Sequence, residues 1–309
     1  MAQINWYEKL QTISAIHVTP FHPETRAIDW AGLEKNVDFL VTNGAQVVVA
    51  CGNTSEFYSL TLEEARGVIR RVLNTVAGRA TVVAGVGYSI DTAIRLGEDA
   101  VTAGAQGILI HQPIDPYITD GGAVAYYRGV MAGVQAPSIL YFKDPTLSDD
   151  VLLAVAEQEE LVGVKYAFND LPRFAAVVRR MPEERRIAWV CGTAEKWAPF
   201  FFAAGAKGFT SGLVNVCPEL SFALLRALQA ENQAAVWRLW ERVLPFENLR
   251  AKRHNGNNVV VIKEAMNRLG RNVGVTREPV DVLDETDGAE LQRILETWEQ
   301  SGFSGCNLQ

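Results

Sequence analysis

Three short strings in this chain end apolar runs in groups capable of chemistry: Gly52-Asn53-Thr54-Ser55-Glu56, Tyr141-Phe142-Lys143-Asp144 and Gly163-Val164-Lys165-Tyr166. Lys165 follows Leu161-Val162-Gly163-Val164, so its stem starts in a buried segment. Desolvation disfavours the ammonium form and lowers the pKa, leaving a neutral amine that can attack a carbonyl carbon. The competing reading is a lysine that snorkels outward or pairs with a carboxylate such as Glu56. Tyr141 ends the preceding apolar run. A phenol there can pass a proton between solvent, a substrate oxygen and a carbinolamine, or can simply be a core aromatic with a wet hydroxyl. Thr54 lies in a Gly-containing turn between Asn53 and Ser55. It can relay that proton, or bind a carboxylate through its hydroxyl and neighbouring N–H groups, or do no more than ordinary loop chemistry. Lys143 adds a cation to the same region of chain.

The elements that must position these groups are marked as well. Gly44-Ala45-Gln46, Gly104-Ala105-Gln106 and Gly205-Ala206-Lys207 each close a helical pattern and open an apolar run, Val47 to Ala50, Ile108 to His111 and Phe209 to Ser211. Each glycine can take the left-handed conformation that ends a helix. The strings lie 60 and then 101 positions apart, room for two and then three βα units of about 30 to 34 residues. The same period places strands at Ile13 to Val18, Thr81 to Val86, Ser138 to Phe142, Leu161 to Lys165 and Ile187 to Cys191, eight in all. Helix starts are read at Asp29, at Thr61 with Glu64 as a capping box, at Asp91 and at Ser148. Runs such as Val47-Val48-Val49 lack alternation, as strands covered on both faces do. The expected fold is therefore α/β, a (β/α)8 TIM barrel over 1–230, with a C-terminal helical extension over 231–309 whose helices run Asn232 to Leu244, Asn258 to Leu269 and Ala289 to Ser301. In such a barrel chemistry sits at the carboxyl ends of strands. Thr210 and Ser211, ending the eighth, become candidates for holding an anionic group.

Composition excludes other classes. The chain has 309 residues, 48% of them apolar, with 29 Lys and Arg against 36 Asp and Glu for a formal charge of −7. That suits a globular core and argues against a polyanion-binding surface, so no nucleic acid partner is expected. No run approaches the roughly 18 apolar residues of a membrane helix, and the start, Met1-Ala2-Gln3-Ile4-Asn5-Trp6, lacks the basic and apolar regions of a leader. A cytoplasmic protein is expected. Cys51, Cys191, Cys217 and Cys306 form no CxxC pair, and His17, His22, His111 and His254 show no metal spacing, so neither a disulfide framework nor a metal is expected. His111 ends the fourth strand, where it can face a substrate, and reads first as a hydrogen-bonded structural residue. Gly85-Val86-Gly87-Tyr88 lacks the third glycine of a dinucleotide fingerprint and reads as a turn beside the site. Arg250 to Arg253 reads as a solvated helix end, and Asn255 to Asn258 as a turn and cap.

Taken together, the order Gly-x-Thr-x-Glu after strand two, Tyr at the end of strand five and Gly-x-Lys at the end of strand six resembles the dihydrodipicolinate synthase and N-acetylneuraminate lyase family. The resemblance covers essentially the whole chain, including Val18-Thr19-Pro20-Phe21 and Glu56-Phe57-Tyr58-Ser59-Leu60-Thr61. It implies a (β/α)8 barrel, a homotetramer or homodimer, and a Schiff base between the strand-six lysine and a small-molecule 2-oxo acid, without metal or organic cofactor. By position, Lys165 would be that lysine, Tyr141 the proton-shuttling tyrosine, and Thr54 the second hydroxyl residue of the family's Gly-Thr-Thr-Gly-Glu motif.

Departures narrow the reading. Asn53 stands in place of the first threonine and Ser55 in place of the following glycine, so the usual hydroxyl relay is incomplete; an amide orients a proton but does not pass one. Thr146 occupies the position of the arginine that holds the aldehyde substrate's carboxylate in true synthases. Tyr141-Phe142-Lys143-Asp144 and Glu56-Phe57-Tyr58-Ser59-Leu60 are instead similar to the 5-dehydro-4-deoxyglucarate dehydratase branch. Of the tyrosine pair expected after strand four only Tyr117 is present, shifted by a few positions. The sequence thus points to a Schiff-base lyase, a dehydratase or aldolase on a sugar-derived 2-oxo acid. In that reading Lys165, Tyr141 and Thr54 are catalytic and Asn53, Ser55, Lys143, Thr210 and Ser211 bind substrate. The alternatives are an authentic dihydrodipicolinate synthase and a non-catalytic 2-oxo acid sensor.

Overall fold

The computed structural model describes residues 4–303, so Met1 to Gln3 and Cys306 lie outside the described residues. A one-turn helix α1 (Trp6–Lys9) precedes β1 (Ile13–Ile16). Helix and strand then alternate through α2 (Trp30–Thr42), β2 (Val47–Ala50), α3 (Leu62–Val76), β3 (Thr81–Val86), α4 (Ile90–Thr102), β4 (Gly107–Ile110), α5 (Asp120–Val134) and β5 (Ser138–Phe142). The second half continues as α6 (Asp150–Val155), β6 (Leu161–Tyr166), α7 (Leu171–Arg180), β7 (Ala188–Cys191), α8 (Ala194–Ala204), β8 (Gly208–Ser211) and α9 (Pro218–Gln229). Each strand is parallel to the next and β8 pairs with β1, closing the eight-stranded (β/α)8 barrel expected from the sequence. Among the described residues no helix is long and apolar enough to cross a membrane.

Alternation along each strand divides the core in two. Ile16, Val47, Val49, Val83, Leu109, Ile139 and Val190 face the lumen, and Trp6 and Leu10 plug its amino-terminal end. Neighbouring positions such as Ala15, Val48, Ala84, Ile108, Leu140 and Val164 face the surrounding helices. Gly44, Gly104 and Gly205 take φ of 97°, 107° and 129°, values that favour glycine and let the chain leave a helix and enter the next strand within three residues.

Two helix starts within the barrel differ from expectation. Ser89, rather than Asp91, caps α4, its hydroxyl accepting from the Thr92 N–H at 3.2 Å, which leaves Asp91 inside the first turn. Asp149, rather than Ser148, occupies the cap of α6, because its carboxylate is drawn inward to Arg173 and the Tyr166 hydroxyl, while Ser148 Oγ accepts from Asp150 N at 3.1 Å.

Beyond the barrel, α10 (Gln233–Asn255), α11 (Asn258–Arg268) and α12 (Glu285–Gln300) follow. The helix expected to stop at Leu244 runs on through Pro245, because Phe246, Glu247, Leu249 and Arg250 gain burial on the far side of the proline. A proline inside a helix costs about 3 kcal/mol, and burying two large apolar side chains offsets it at about 1.5–3 kcal/mol each. The backbone leaves the helical region at Lys252 to His254. α12 starts a turn earlier than expected because Asp284 caps it, accepting from Asp287 N at 2.7 Å. The basic run is solvated only in part: Ala251 and Arg253 are exposed, but Arg250 is buried against Glu247, and Lys252 bonds Asp287 at 2.7 Å and Glu290 at 2.6 Å.

This extension grips the loop after β2. Lys263 of α11 and Glu56 form a buried ion pair, and the same amine donates to the Val275 carbonyl at 2.7 Å and stands 4.3 Å from the centre of the Phe21 ring. The Arg277 N–H donates to Glu56 Oε2 at 2.9 Å, and its guanidinium takes both oxygens of Glu64, at 2.7 and 2.8 Å. Glu56 itself has φ 56°, a conformation costing a non-glycine residue about 1–2 kcal/mol, so the pair fixes a turn that would otherwise relax.

Removing one partner of a buried pair leaves an uncompensated charge, worth about 3–5 kcal/mol. Lys263→Met is expected to lose that much stability to urea, and Glu56→Gln/Lys263→Met to recover most of it. A double variant as unstable as the single would show that packing, not the pair, holds this loop.

Candidate active site

The carboxyl ends of the strands gather the polar groups. Tyr141 on β5 and Lys165 on β6 are register partners, so both side chains point into the lumen at one level. The Lys165 amine stands 4.0 Å from the centre of the Tyr141 ring. Its stem rises between Ile16, Val49, Leu109, Ile139 and Val190, with Ser14 and Thr210 alongside. Only 3% of Lys165 is exposed. Burial, with help from the charge of Lys143, lowers its pKa to about 7, against a small opposing effect of Cys191. A substantial fraction of the amine is therefore neutral near pH 7. Glu56 is committed to Lys263, so the alternative in which it pairs with Lys165 is corrected.

Burial raises the Tyr141 hydroxyl to about 12, against the lowering effect of its hydrogen bond from Asn53. It remains a phenol at neutral pH. Asn53 Nδ2 donates to the phenol oxygen at 3.0 Å, which leaves the phenol's own hydrogen free to be donated. Asn53 and Thr54 sit on a 3₁₀ turn (Asn53–Ser55) immediately before the Glu56 brace. Among the described residues no protein group takes the Thr54 hydroxyl. Behind β5, the Tyr127 hydroxyl donates to the Tyr141 carbonyl at 3.2 Å, and Gln112 Oε1 accepts from the N–H groups of Lys143 and Asp144 at 2.7 and 3.0 Å. The strand end is thus pinned from both sides. Lys143 reaches back over the mouth, 5.7 Å from the centre of the Tyr58 ring and 5.9 Å from that of Tyr141. Burial lowers its pKa and Asp144 raises it.

Lys165, Tyr141, Asn53 and Lys143 are brought together by these contacts, and Thr54 follows Asn53 on the same turn. Thr210 borders the stem of Lys165, with its hydroxyl 3.5 Å from the Cys191 carbonyl. Two expected substrate-binding residues are turned away. Ser55 is fully buried and donates to the His17 carbonyl at 2.7 Å, because the turn that presents Asn53 to Tyr141 rotates the next-but-one side chain toward β1. Ser211, one residue beyond Thr210, faces the helices, where its hydroxyl donates to Glu195; adjacent strand residues point to opposite faces. Thr146 is also spent, its N–H and hydroxyl both donating to Asp144 Oδ1, at 2.9 and 2.6 Å. Tyr117 is 88% exposed. His111 stacks on Phe57 and hydrogen bonds the Cys51 carbonyl at 2.9 Å, and burial lowers its pKa to about 3, so it is a neutral structural residue.

Three contributors were not singled out from sequence. Gln112 carries only the signal of following His111 at a strand end. Tyr127 reads as a helix aromatic at core spacing. Tyr58 was visible within Glu56 to Thr61, but only its partners across the barrel mouth give it a place. Among the described residues no group of His, Cys, Asp and Glu could hold a metal ion.

Comparisons with known proteins give the chain a family. The model of the dihydrodipicolinate synthetase family matches residues 9–298. A probable 5-dehydro-4-deoxyglucarate dehydratase of Xanthomonas campestris pv. campestris is 31% identical over 277 residues, 87% of this chain and 89% of the relative. A 4-hydroxy-tetrahydrodipicolinate synthase of Methanoculleus marisnigri is 30% identical over 284 residues, 90% of this chain and 96% of the relative. Among solved structures, dihydrodipicolinate synthase from Oceanobacillus iheyensis superposes with a TM-score of 0.94 at 57% identity, covering 96% of this chain and 98% of that one.

The electrostatics make two checkable statements. Lys143→Gln removes a like charge, so the Lys165 pKa should rise and the acid limb of the pH–rate profile should move to higher pH; a limb that stays in place would mean the two amines do not interact. Keeping Lys165 partly neutral means the native state binds fewer protons than the unfolded chain between about pH 7 and pH 10. Lys165→Met is therefore expected to melt above the parent protein at pH 7, the difference shrinking as pH rises toward 10. Equal melting at pH 7 would contradict the desolvation of the amine.

Proposed function

The chain is a lyase of the dihydrodipicolinate synthetase family, whose members work through a Schiff-base lysine, and on that premise we propose that Lys165 is this lysine and a sugar-derived 2-oxo acid its substrate. The observation that carries the proposal is the buried amine of lowered pKa against the Tyr141 ring, with Asn53 fixing which way the phenol donates.

The chemistry follows from these groups. The neutral Lys165 amine adds to the 2-oxo carbon while the Tyr141 phenol protonates the carbonyl oxygen. That oxygen leaves as water and a protonated ketimine remains. The phenolate on Tyr141 accepts a hydrogen bond from the Asn53 N–H and is placed to take a proton from C3, with the electron pair flowing into the iminium. The resulting enamine expels a C4 hydroxyl as water, and hydrolysis releases the product and regenerates the amine; one water is lost overall. The same enamine supports carbon–carbon cleavage or condensation when the substrate offers those bonds. Thr54 exchanges the proton between Tyr141 and solvent, and Thr210 supports the stem of Lys165 from below. In this reading 1–230 is the catalytic unit and 231–309 an appendage that braces the loop after β2. A homotetramer or homodimer in the cytoplasm is proposed on the family resemblance, and light scattering of the purified protein tests the assembly.

The second reading, condensation of pyruvate with aspartate semialdehyde, is favoured by the name of the Oceanobacillus iheyensis relative. Against it stands Thr146, whose hydroxyl and N–H are both spent on Asp144. A bidentate guanidinium supplies charge and geometry that this residue cannot. A 2-oxo acid sensor is disfavoured because Lys165 and Tyr141 are both present and in contact.

Borohydride is expected to trap an adduct on Lys165 with 2-oxo acids, and Lys165→Ala to abolish both adduct and turnover; an adduct that maps to Lys143 would overturn the assignment. Tyr141→Phe should lower kcat by roughly 10²-fold with little change in stability, and unaltered kcat would reduce Tyr141 to packing. Pyruvate with aspartate semialdehyde should be turned over poorly beside a 4-deoxy-5-oxo or 2-oxo-3-deoxy sugar acid. Efficient synthase activity, lost in Lys143→Ala, would make the second reading the answer.

A further inference from the structure

Behind β8, on the side turned from the lumen, the fold buries two carboxyl groups against one cation. Glu195, at the start of α8, is fully buried, and Glu247 and Arg250 of α10 are each 6% exposed. Glu247 pairs with Arg250 at 2.5 Å, and Arg250 otherwise donates to Asn258, which is uncharged. Glu195 receives hydroxyls instead: its Oε1 accepts from Ser211 of β8 and from Ser221 of α9, the latter at 2.6 Å, while its Oε2 is buried without a hydrogen-bond partner. The groups that face Glu195 are thus the Cys191 thiol from β7, Ser211 from β8, Ser221 from α9, and Glu247 and Arg250 from α10. Burial pushes the Cys191 thiol up to about 12, so it adds no charge. Lys196, next in sequence, donates to Asn248 at 2.8 Å instead. An uncompensated buried charge is costly, so two acids and one guanidinium are best buried with one proton between the acids. Burial and the charge of Glu247 raise the Glu195 pKa above the ordinary carboxylate value, against the hydrogen bonds from Ser211 and Ser221 and the charge of Arg250.

This cluster reaches the catalytic turn through the end of β8. A Cβ placed on Gly212 would lie 2.5 Å from Ile262 Cδ1, 3.0 Å from Arg250 Nη2 and 3.4 Å from Thr54 Cγ2. Arg250 and Thr54 therefore meet across the bare α-carbon of Gly212. Ser211 Oγ, besides donating to Glu195, accepts from the Val214 N–H at 3.0 Å and so sets the 3₁₀ turn Leu213–Asn215. From that turn the Asn215 amide donates to the carbonyls of Ile16 and Gly212, at 2.8 and 2.9 Å, tying β8 to β1. We propose that Glu195 is a positioning residue: Glu195 and Glu247 hold one proton between them, and while it is present Arg250 stays against Gly212 and backs Thr54 in its proton exchange with Tyr141. Loss of the proton sets two carboxylates in competition for one guanidinium. Arg250 is then drawn toward Glu195 and off Gly212, and the turn carrying Thr54 loses its backing. This rests on Lys165 forming the Schiff base and on Thr54 passing protons from Tyr141 to solvent.

The test reads proton exchange, Schiff-base formation and stability separately. Deuterium uptake into the methyl group of pyruvate, followed by NMR at saturation, reports the exchange that Thr54 serves, and half-saturation of borohydride trapping with pyruvate reports the Schiff base. Both are measured from pH 5 to pH 9 on the parent protein, Glu195→Gln and Ser221→Ala, with thermal melting over the same range. Parent uptake is expected to fall several-fold at the alkaline end. Glu195→Gln, which keeps the group neutral, should lose that fall while half-saturation of trapping stays within twofold of the parent. Ser221→Ala removes a hydrogen bond that favours the ionised acid, so the fall should move to higher pH; it decides the kinetic result by itself where Glu195→Gln does not fold. The folded protein holds a proton that the unfolded chain releases, so the parent should lose melting temperature relative to Glu195→Gln as pH rises from 5. A melting difference that does not change with pH overturns the shared proton. An alkaline fall that stays in place in both variants overturns the positioning of Thr54 and leaves the Schiff-base reading intact. Absence of any trapped adduct in the parent protein overturns the Schiff-base reading and this inference with it.

Discussion

The structure is organised around the removal of one amine from water. A lysine on a parallel strand whose both faces are covered cannot keep its hydration, and Lys165 meets that constraint by giving up its proton near neutral pH. An isolated buried ammonium would destabilise the barrel, and the apolar layer that the β1, β2, β4, β5 and β7 side chains form around the Lys165 stem is what drives the proton off. The same layer holds the stem in one place. Nucleophilicity and position therefore have a common origin in the packing of the lumen.

Around that amine, the other groups are placed by backbone rather than by their own side-chain preferences. Register sets Tyr141 beside Lys165. The end of β5 is clasped by Gln112 from one side and Tyr127 from the other. The turn that carries Asn53 and Thr54 ends at Glu56, whose left-handed backbone is retained by a lysine from the carboxyl-terminal extension. The extension thus does more than cover the barrel: it supplies the charge that fixes the loop facing the nucleophile.

Replacing a hydroxyl by an amide at Asn53 changes the logic of proton movement. Two hydroxyls hydrogen bonded in series can exchange donor and acceptor roles, whereas the amide N–H can only donate. Tyr141 is consequently held with its oxygen accepting and its hydrogen directed elsewhere, a fixed polarity suited to protonating a carbonyl oxygen and then taking a proton back. Lys143, which forms no ion pair among the described residues, lowers the pKa of the neighbouring amine.

Much of this was legible without coordinates. Three glycine-marked helix ends and eight apolar runs specify a (β/α)8 barrel, because helix closure and strand burial are local consequences of residue type, and a polar residue at the end of a buried run marks the catalytic face whatever the loops do. Lys165, Tyr141 and Thr54 could be named on that basis, with Asn53 and Lys143 beside them. What lay beyond the sequence was every relation between chain segments remote from one another. Which carboxylate Lys263 would claim, whether Ser55 and Ser211 would face the lumen or the helices, how far α10 would run past Pro245, and which aromatic rings Lys143 would meet all depend on burial shared between distant elements. A one-residue rotation along a strand or turn reverses the face a side chain presents, and only the closed barrel, with its extension docked, decides that rotation.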